Sequence, residues 1–440
     1  MKTSELPVAV IGGGYAGMAA AVELTRAGRR VHVLEAGPVL GGRARRVDIA
    51  GPDGQPLALD NGQHLLVGAY RELLRLMQLV GIDESTVAAR TLLDLDMRDG
   101  AEQTFRLACP RLPAPLHSAV ALLRAAGLSW GERLAAVRAM NTAKRLGWRL
   151  TQDTAVLAWL QAQGQSGQLI RCLWEPLTLA ALNTPVATAS AQVLLNVLRD
   201  SLAADRAASD FLVPRADLST LFPDAAGRYV TANGGQVGLG QMVKQLDQAE
   251  DGWYTDRSDA RYSAVVLALP PHRLDMLTST HPAVVQAVAA TEGWAYQPIY
   301  TVYLGFPAGT RLPKPMLGLV GTTTQWLFDR SIWCGQDGIV AAIISAEGDH
   351  QHLGQDALVE RVIGEALRAC PALPRPIWHK VIAEKRATFA CTPGLARPAN
   401  ATQDASLVLA GDYTAGDYPA TIEGAVRSGV EAANLLVISY

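Results

Sequence analysis

The chain has 440 residues, 49% of them hydrophobic and 18% charged, with a formal net charge of −2. That length suggests two domains and a large core, and the near-neutral charge gives no reason to expect a nucleic-acid partner. Five scattered cysteines, Cys109, Cys172, Cys334, Cys370 and Cys391, form no C-x-x-C pair, which points to a reducing compartment and no metal site.

Val8-Ala9-Val10-Ile11 is apolar and partly β-branched, the pattern of a buried parallel strand. It is too short for a signal-peptide core and runs straight into Gly12-Gly13-Gly14-Tyr15-Ala16-Gly17. Gly12, Gly14 and Gly17 fall at G-x-G-x-x-G spacing. Gly12 allows a tight turn, Gly14 lets a pyrophosphate approach the backbone, and Gly17 lets the helix pack close to the strand. Ala19, Ala20, Ala21, Glu23 and Leu24 are good helix formers, and Gly28 stops the helix. Val31-His32-Val33-Leu34 is a second buried strand. It ends at Glu35, where an acid would accept hydrogen bonds from an adenosine ribose. Strand, glycines, helix and acid together predict a dinucleotide with its phosphates on the helix N-terminus. Tyr15, Ala16 and Ala36 adjoin these positions and belong to the same expected cofactor set.

Next comes Gly41-Gly42-Arg43-Ala44, which suggests a second backbone approach to the pyrophosphate with a fixed cation beside it. Beside the first motif it resembles the G-G-R-x signature of FAD enzymes of the amine oxidase and phytoene desaturase superfamily, which NAD-only folds do not usually carry. The resemblance implies an α/β, glutathione-reductase-2-like fold. A Rossmann-type FAD domain would be joined to a substrate domain of mixed sheet and helix.

Asp48 to Leu59 reads as a hairpin around Pro52-Asp53-Gly54. In Asp60-Asn61-Gly62-Gln63-His64, Gly62 would bring backbone close to a cofactor ring, with Gln63 and His64 pointing at it. Its spacing resembles the superfamily's loop beside the flavin. Arg71 to Val80 is an amphipathic helix, and Leu92 to Leu107 alternates enough for two strands. Pro115 to Ser201 turns helical, with apolar residues recurring at helical spacing, and looks like a substrate domain. Within it, Leu173 to Pro185 reads as a helix interrupted at Pro176, with Glu175 and Trp174 buried beside it. This piece, Phe211 to Leu218 and the Asp60–His64 loop resemble the hydroxysqualene dehydroxylase branch of the superfamily.

Asn233-Gly234-Gly235 looks like the superfamily's return into the nucleotide domain. The helix and strand that normally follow are absent, so this segment reads as shortened, with Val243 taking the adenine-side role. Val265 to Leu269 is a buried strand stopped by Pro270-Pro271. Pro298 to Phe306, Thr324 to Phe328 and Gly338 to Ser345 are strand-like and suit the floor of a substrate cavity. Asp356 to Ala369 is a helix.

Leu407-Val408-Leu409-Ala410 is a buried strand with Gly411-Asp412 at its C-terminal end, where ligands sit in α/β sheets. Tyr418 to Gly429 opens a helix, leaving the N–H groups of Thr421 and Ile422 free for a flavin C2 carbonyl. Asp412 would take a ribityl hydroxyl. Amine oxidases of the superfamily place an aromatic where this chain has Thr421, so an amine cage is not expected. With no cysteine in an evident flavin-linking motif, the FAD is expected to be non-covalent.

The branch resemblance implies a cytoplasmic, reductive dehydroxylase of a long apolar isoprenoid. It would be peripheral at the inner face of the membrane, where the apolar run His117 to Leu128 could touch lipid. Its proton donor is left open among His64, Glu175 and Tyr418. The same scaffold permits a squalene or carotenoid desaturase. An amine or porphyrinogen oxidase and a non-catalytic isoprenoid binder are more distant readings. Residues 1–75, 226–280 and 386–440 are assigned to the FAD domain. Residues 76–225 form the helical part of the substrate domain and 281–385 its sheet and helix.

Overall fold

The computed structural model describes residues 6–438. Five parallel strands form one sheet in the order Gln236–Gly238, Val31–Leu34, Val8–Ile11, Ala264–Leu267, Leu407–Leu409. The last three are buried along their length, because layers cover both faces of a parallel sheet. Helices Tyr15–Arg26 and Ile422–Ile438 pack together on it. Their backbones come so close that a Cβ on Gly429 would lie 2.1 Å from the Ala16 carbonyl oxygen. Helix Pro223–Ala232 lies along the first of these helices. An antiparallel meander, Leu246–Ala249, Gly252–Thr255 and Ser258–Tyr262, precedes the strand Ala264–Leu267 and packs on it.

The segment around Gly234-Gly235 departs from its expectation. A helix, Pro223–Ala232, stands before the glycines rather than after them, and the strand Gln236–Gly238 follows at once to pair with Val31–Leu34. Gly227 obscures this helix in the sequence; a Cβ there would lie 3.0 Å from the end of the Leu40 side chain.

A second sheet runs Trp378–Phe389, Tyr296–Gly305, Ile339–Ser345, Trp326–Asp329, Met316–Leu319, Asp94–Asp99, Glu102–Ala108. Its pairs are antiparallel except Met316–Leu319 with Asp94–Asp99. Both strands expected within Leu92 to Leu107 therefore join a floor built from residues two hundred positions away. Helix Gln355–Ala369 covers one face, packing on Val302 and Leu304. Tyr303, Ala341 and Ile343 face the other side, in one core with the helices between Leu116 and Ala203.

Pro176 does not break its helix. A π turn, Ile170–Trp174, runs directly into Glu175–Leu182. The wider turn absorbs the amide that proline lacks. Asn183 ends the run in a left-handed conformation. Its amide donates to Thr388 Oγ1 at 3.0 Å and Pro298 O at 3.3 Å, while its oxygen accepts from Ala346 N at 2.7 Å. One residue thus pins the helical segment to the floor sheet.

Gly429→Ala is expected to lose about 1–3 kcal/mol, because the added methyl overpacks a backbone contact that cannot yield. The loss would be read as a lower melting temperature with unchanged far-UV circular dichroism.

Candidate active site

Gly12 takes φ of +110°, and a Cβ there would lie 2.5 Å from the Ala268 carbonyl oxygen. A Cβ on Gly17 would lie 1.9 Å from the oxygen of Gly12. Neither position admits a side chain. The second glycine loop docks on the first: Gly41 N donates to Gly13 O at 2.9 Å, and a Cβ on Gly42 would lie 3.1 Å from the Gly14 Cα. The two motifs make one cradle of bare backbone at the end of helix Tyr15–Arg26, where free N–H groups favour phosphate. Glu35 stands beneath it, accepting from Gly13 N and Gly37 N at 2.6 Å each. The lone pairs that remain are available to sugar hydroxyls. Tyr15 is buried and donates to Leu218 O, Ala16 is buried under Gly429, and Ala36 is exposed at the rim. Gly238 to Gln241 bonds to the Glu35 backbone on both sides, and Val243 is buried two residues on.

Arg43 and Asp412, from opposite ends of the chain, meet at 2.6 Å. A second guanidinium nitrogen of Arg43 donates to Ala387 O at 2.7 Å. Burial works against the Arg43 charge, but Asp412 and Glu384 more than offset it and raise its pKa. Burial first, then Arg43, Arg386 and Arg273, push His272 down to about 4. Three guanidinium groups near this imidazole add positive charge on the Arg43 side of the cradle, which suits the diphosphate of FAD. Two buried hydroxyls, Thr301 Oγ1 and Tyr413 Oη, lack partners among the described residues. Tyr413 follows Asp412. Thr301 Oγ1 lies 3.6 Å from where a Cβ on Gly62 would be. A polar ligand there would satisfy such groups. The residues present fit the dinucleotide.

The loop Asp60 to His64 is held by a side chain the sequence reading missed. Arg330, 2% exposed, donates to Asp60 Oδ2 at 3.2 Å and to Gln63 Oε1 at 2.5 Å. Asp60 Oδ1 accepts from Leu218 N at 2.9 Å, and Asp60 O from the Tyr303 hydroxyl at 2.9 Å. Asn61 ties the loop back to Arg43 O at 3.1 Å. These bonds explain why Asp60–His64 and Phe211–Leu218 stand out together in the sequence: they share one buried carboxylate. The only nearby cue to Arg330 was an arginine closing a strand-like run. His64 Nδ1 lies 2.7 Å from Gly62 O, which can only accept, so Nδ1 carries the proton. Burial lowers the His64 pKa, against the opposing effects of Gly62 and Asp60. The ring is therefore neutral near pH 7 and offers Nε2 as an acceptor.

At the start of helix Ile422–Ile438, the expectation of two free amides holds for one. Thr421 N donates to Pro419 O at 2.8 Å, and its Oγ1 caps Gly424 N at 3.1 Å. Ile422 N has no such partner among the described residues. Tyr418 donates its hydroxyl proton to Asp200 at 2.6 Å, and Arg427 stacks over its ring. Burial, then the Asp200 bond, hold its pKa well above the phenolic range. Glu175 is half-buried, and burial raises its pKa. Among the described residues its carboxyl has no hydrogen-bond or ion-pair partner. No group of His, Cys, Asp and Glu among the described residues could hold a metal ion.

A backbone cradle for phosphates, a cationic wall and an apolar helical layer over a sheet floor define an FAD-dependent oxidoreductase. Residues 15–437 match the family described as flavin containing amine oxidoreductase, and the chain belongs to it. It is 31% identical to a hydroxysqualene dehydroxylase of Rhodopseudomonas palustris over 98% of each chain. It is 29% identical to that of Sinorhizobium fredii over 97% of each. The fold is similar to an engineered putrescine oxidase, with a TM-score of 0.73 over 99% of both chains at 15% identity. FAD is the cofactor.

Arg43→Gln is expected to weaken FAD retention by about 1.5–3 kcal/mol, the usual worth of a hydrogen bond to a charged group. The measurement is the dissociation constant from flavin fluorescence, with Arg43→Lys recovering only part because it keeps one contact of two.

Proposed function

We propose that this enzyme reductively removes the hydroxyl of hydroxysqualene to give squalene, a step of hopanoid biosynthesis. The match to relatives of that name along nearly the whole of both chains carries the reading. The apolar character of the helical segment supports it, as does Thr421 where an amine cage would need an aromatic ring.

Loss of the hydroxyl as water requires a proton on its oxygen. Glu175 is the donor in this proposal: burial raises its pKa, and no neighbour claims its proton. Tyr418 is committed to Asp200, and His64 holds its proton toward Gly62. Both are poorer acids, leaving His64 Nε2 to accept. The cation left on the allylic carbon needs water kept away, which the apolar side chains of Leu177, Ala181, Val193 and Val197 provide. When bound and reduced, FAD supplies the hydride. Gly62, Gln63 and His64, fixed by Arg330, orient the ring side of the site. A cytoplasmic position, peripheral to the membrane that holds so apolar a substrate, goes with this reading.

Purified enzyme, reduced with dithionite, should convert hydroxysqualene to squalene. Absence of squalene, or a more unsaturated product, overturns the assignment. Glu175→Gln is expected to lower kcat by roughly 10²–10⁴-fold. A general acid works only while protonated, so wild-type turnover falls as pH rises through the raised Glu175 pKa. That limb should vanish in Glu175→Gln and persist in Tyr418→Phe.

A further inference from the structure

The run expected to touch lipid, His117 to Leu128, is largely core: His117, Ala121, Leu122, Ala125 and Leu128 are buried. The residues around it are the ones that face water. Helix Trp130–Arg145 turns Ala135, Ala136, Ala139 and Ala143 inward. Its outer face holds Trp130 and Leu134, 67% and 48% exposed, with exposed Arg138, Lys144 and Arg145 beside them. Such a helix buries its smallest apolar side chains and shows its largest, the reverse of a helix that meets only water. Helix Leu116–Arg124 packs against it and begins with Leu116, 57% exposed. Arg133 locks the turn between them, donating to Leu123 O and Leu128 O at 3.1 Å each, with its guanidinium 4.9 Å from the Trp130 ring centre.

Charge singles out the occupant. Residues 111–149 hold seven arginines and lysines against one acid, Glu132, in a chain of net charge −2. Glu132 is spent on the Ser129 cap and on Ser166. None of the seven cations forms an ion pair with an acid among the described residues. A second copy of this surface would bring the same positive charge and be repelled. An anionic bilayer satisfies both features: it takes indole and leucine at the acyl boundary, and it draws arginine and lysine to the headgroup phosphates.

We propose that the hairpin of helices Leu116–Arg124 and Trp130–Arg145 docks on an anionic phospholipid surface. Leu116, Trp130 and Leu134 enter the acyl boundary, and Arg138, Lys144 and Arg145 bind headgroup phosphates. No helix among the described residues is long and apolar enough to cross a membrane, so the contact is with one leaflet. It needs nothing from the substrate assignment above and can stand or fall without it.

The test is flotation of the purified holoenzyme with phosphatidylcholine vesicles, with and without phosphatidylglycerol. Binding is expected only with the anionic lipid, and it should weaken as salt is raised. Arg138→Gln with Arg145→Gln should weaken it roughly 25-fold, at about fivefold per cation, with the flavin spectrum and melting temperature unchanged. Trp130→Gln with Leu134→Gln should also lose binding, this time without changing the charge. Equal binding to both lipids, no binding to either, or a charge variant that floats like the wild type overturns the proposal. So does a concentration-dependent dimer that Trp130→Gln abolishes, which would make the occupant a second copy.

Discussion

The contact between Arg43 and Asp412 closes the cofactor site. Arg43 leaves the second glycine loop near the start of the chain, and Asp412 follows the last strand of the parallel sheet. They meet only because Leu407–Leu409 pairs with Ala264–Leu267, which in turn pairs with Val8–Ile11. Either charge alone would be poorly solvated there, so each makes the other tolerable. The site therefore exists only once the chain has travelled through its helical segment and second sheet and returned. That order of assembly couples cofactor binding to the folding of both ends.

Around this pair the protein separates two environments. On the cofactor side are bare backbone, the cations Arg43, Arg386 and Arg273, and two hydroxyls, of Thr301 and Tyr413, without partners among the described residues. On the other side are aliphatic side chains and Glu175, a carboxyl whose pKa burial raises. The Asp60–His64 loop stands between them. It is held by the nearly dry Arg330–Asp60 pair, which also bonds Leu218, Gln63 and Gln336. A loop held by these bonds can keep an acceptor such as His64 Nε2 at a fixed place.

The second sheet answers a different need. Tyr296–Gly305 sends alternate residues to two cores: Val302 and Leu304 toward helix Gln355–Ala369, and Tyr303 toward the cofactor loop. Asn183 joins the helical layer to this floor with three bonds. The helical layer and the Asp60–His64 loop thus share a foundation, and Glu175 rides on the helix that Asn183 anchors.

Where local chemistry is decisive, the sequence sufficed. Gly12, Gly14, Gly17 and Glu35 encode a dinucleotide site because Gly12 and Gly17 stand where no side chain fits, Gly14 keeps the backbone bare for phosphate, and an acid suits the ribose. Buried parallel strands announce themselves as apolar runs. The sequence was weaker where the partner is distant in the chain. Trp378–Phe389 is a half-exposed edge strand, rich in charge, with no periodic signature. The helix before Gly234 was hidden by Gly227, a poor helix former that packs beside Leu40. Pro176 suggested a break that a π turn removes. Composition, glycine spacing and strand patterning thus determined the class of cofactor and the α/β frame. Only the tertiary structure decided that Arg330 holds the flavin-side loop, that Tyr418's proton belongs to Asp200, and which leucines of the helical hairpin face water. The reason is physical: burial, and with it the price of an unpaired charge, is set by what packs alongside, which a single stretch of sequence does not contain.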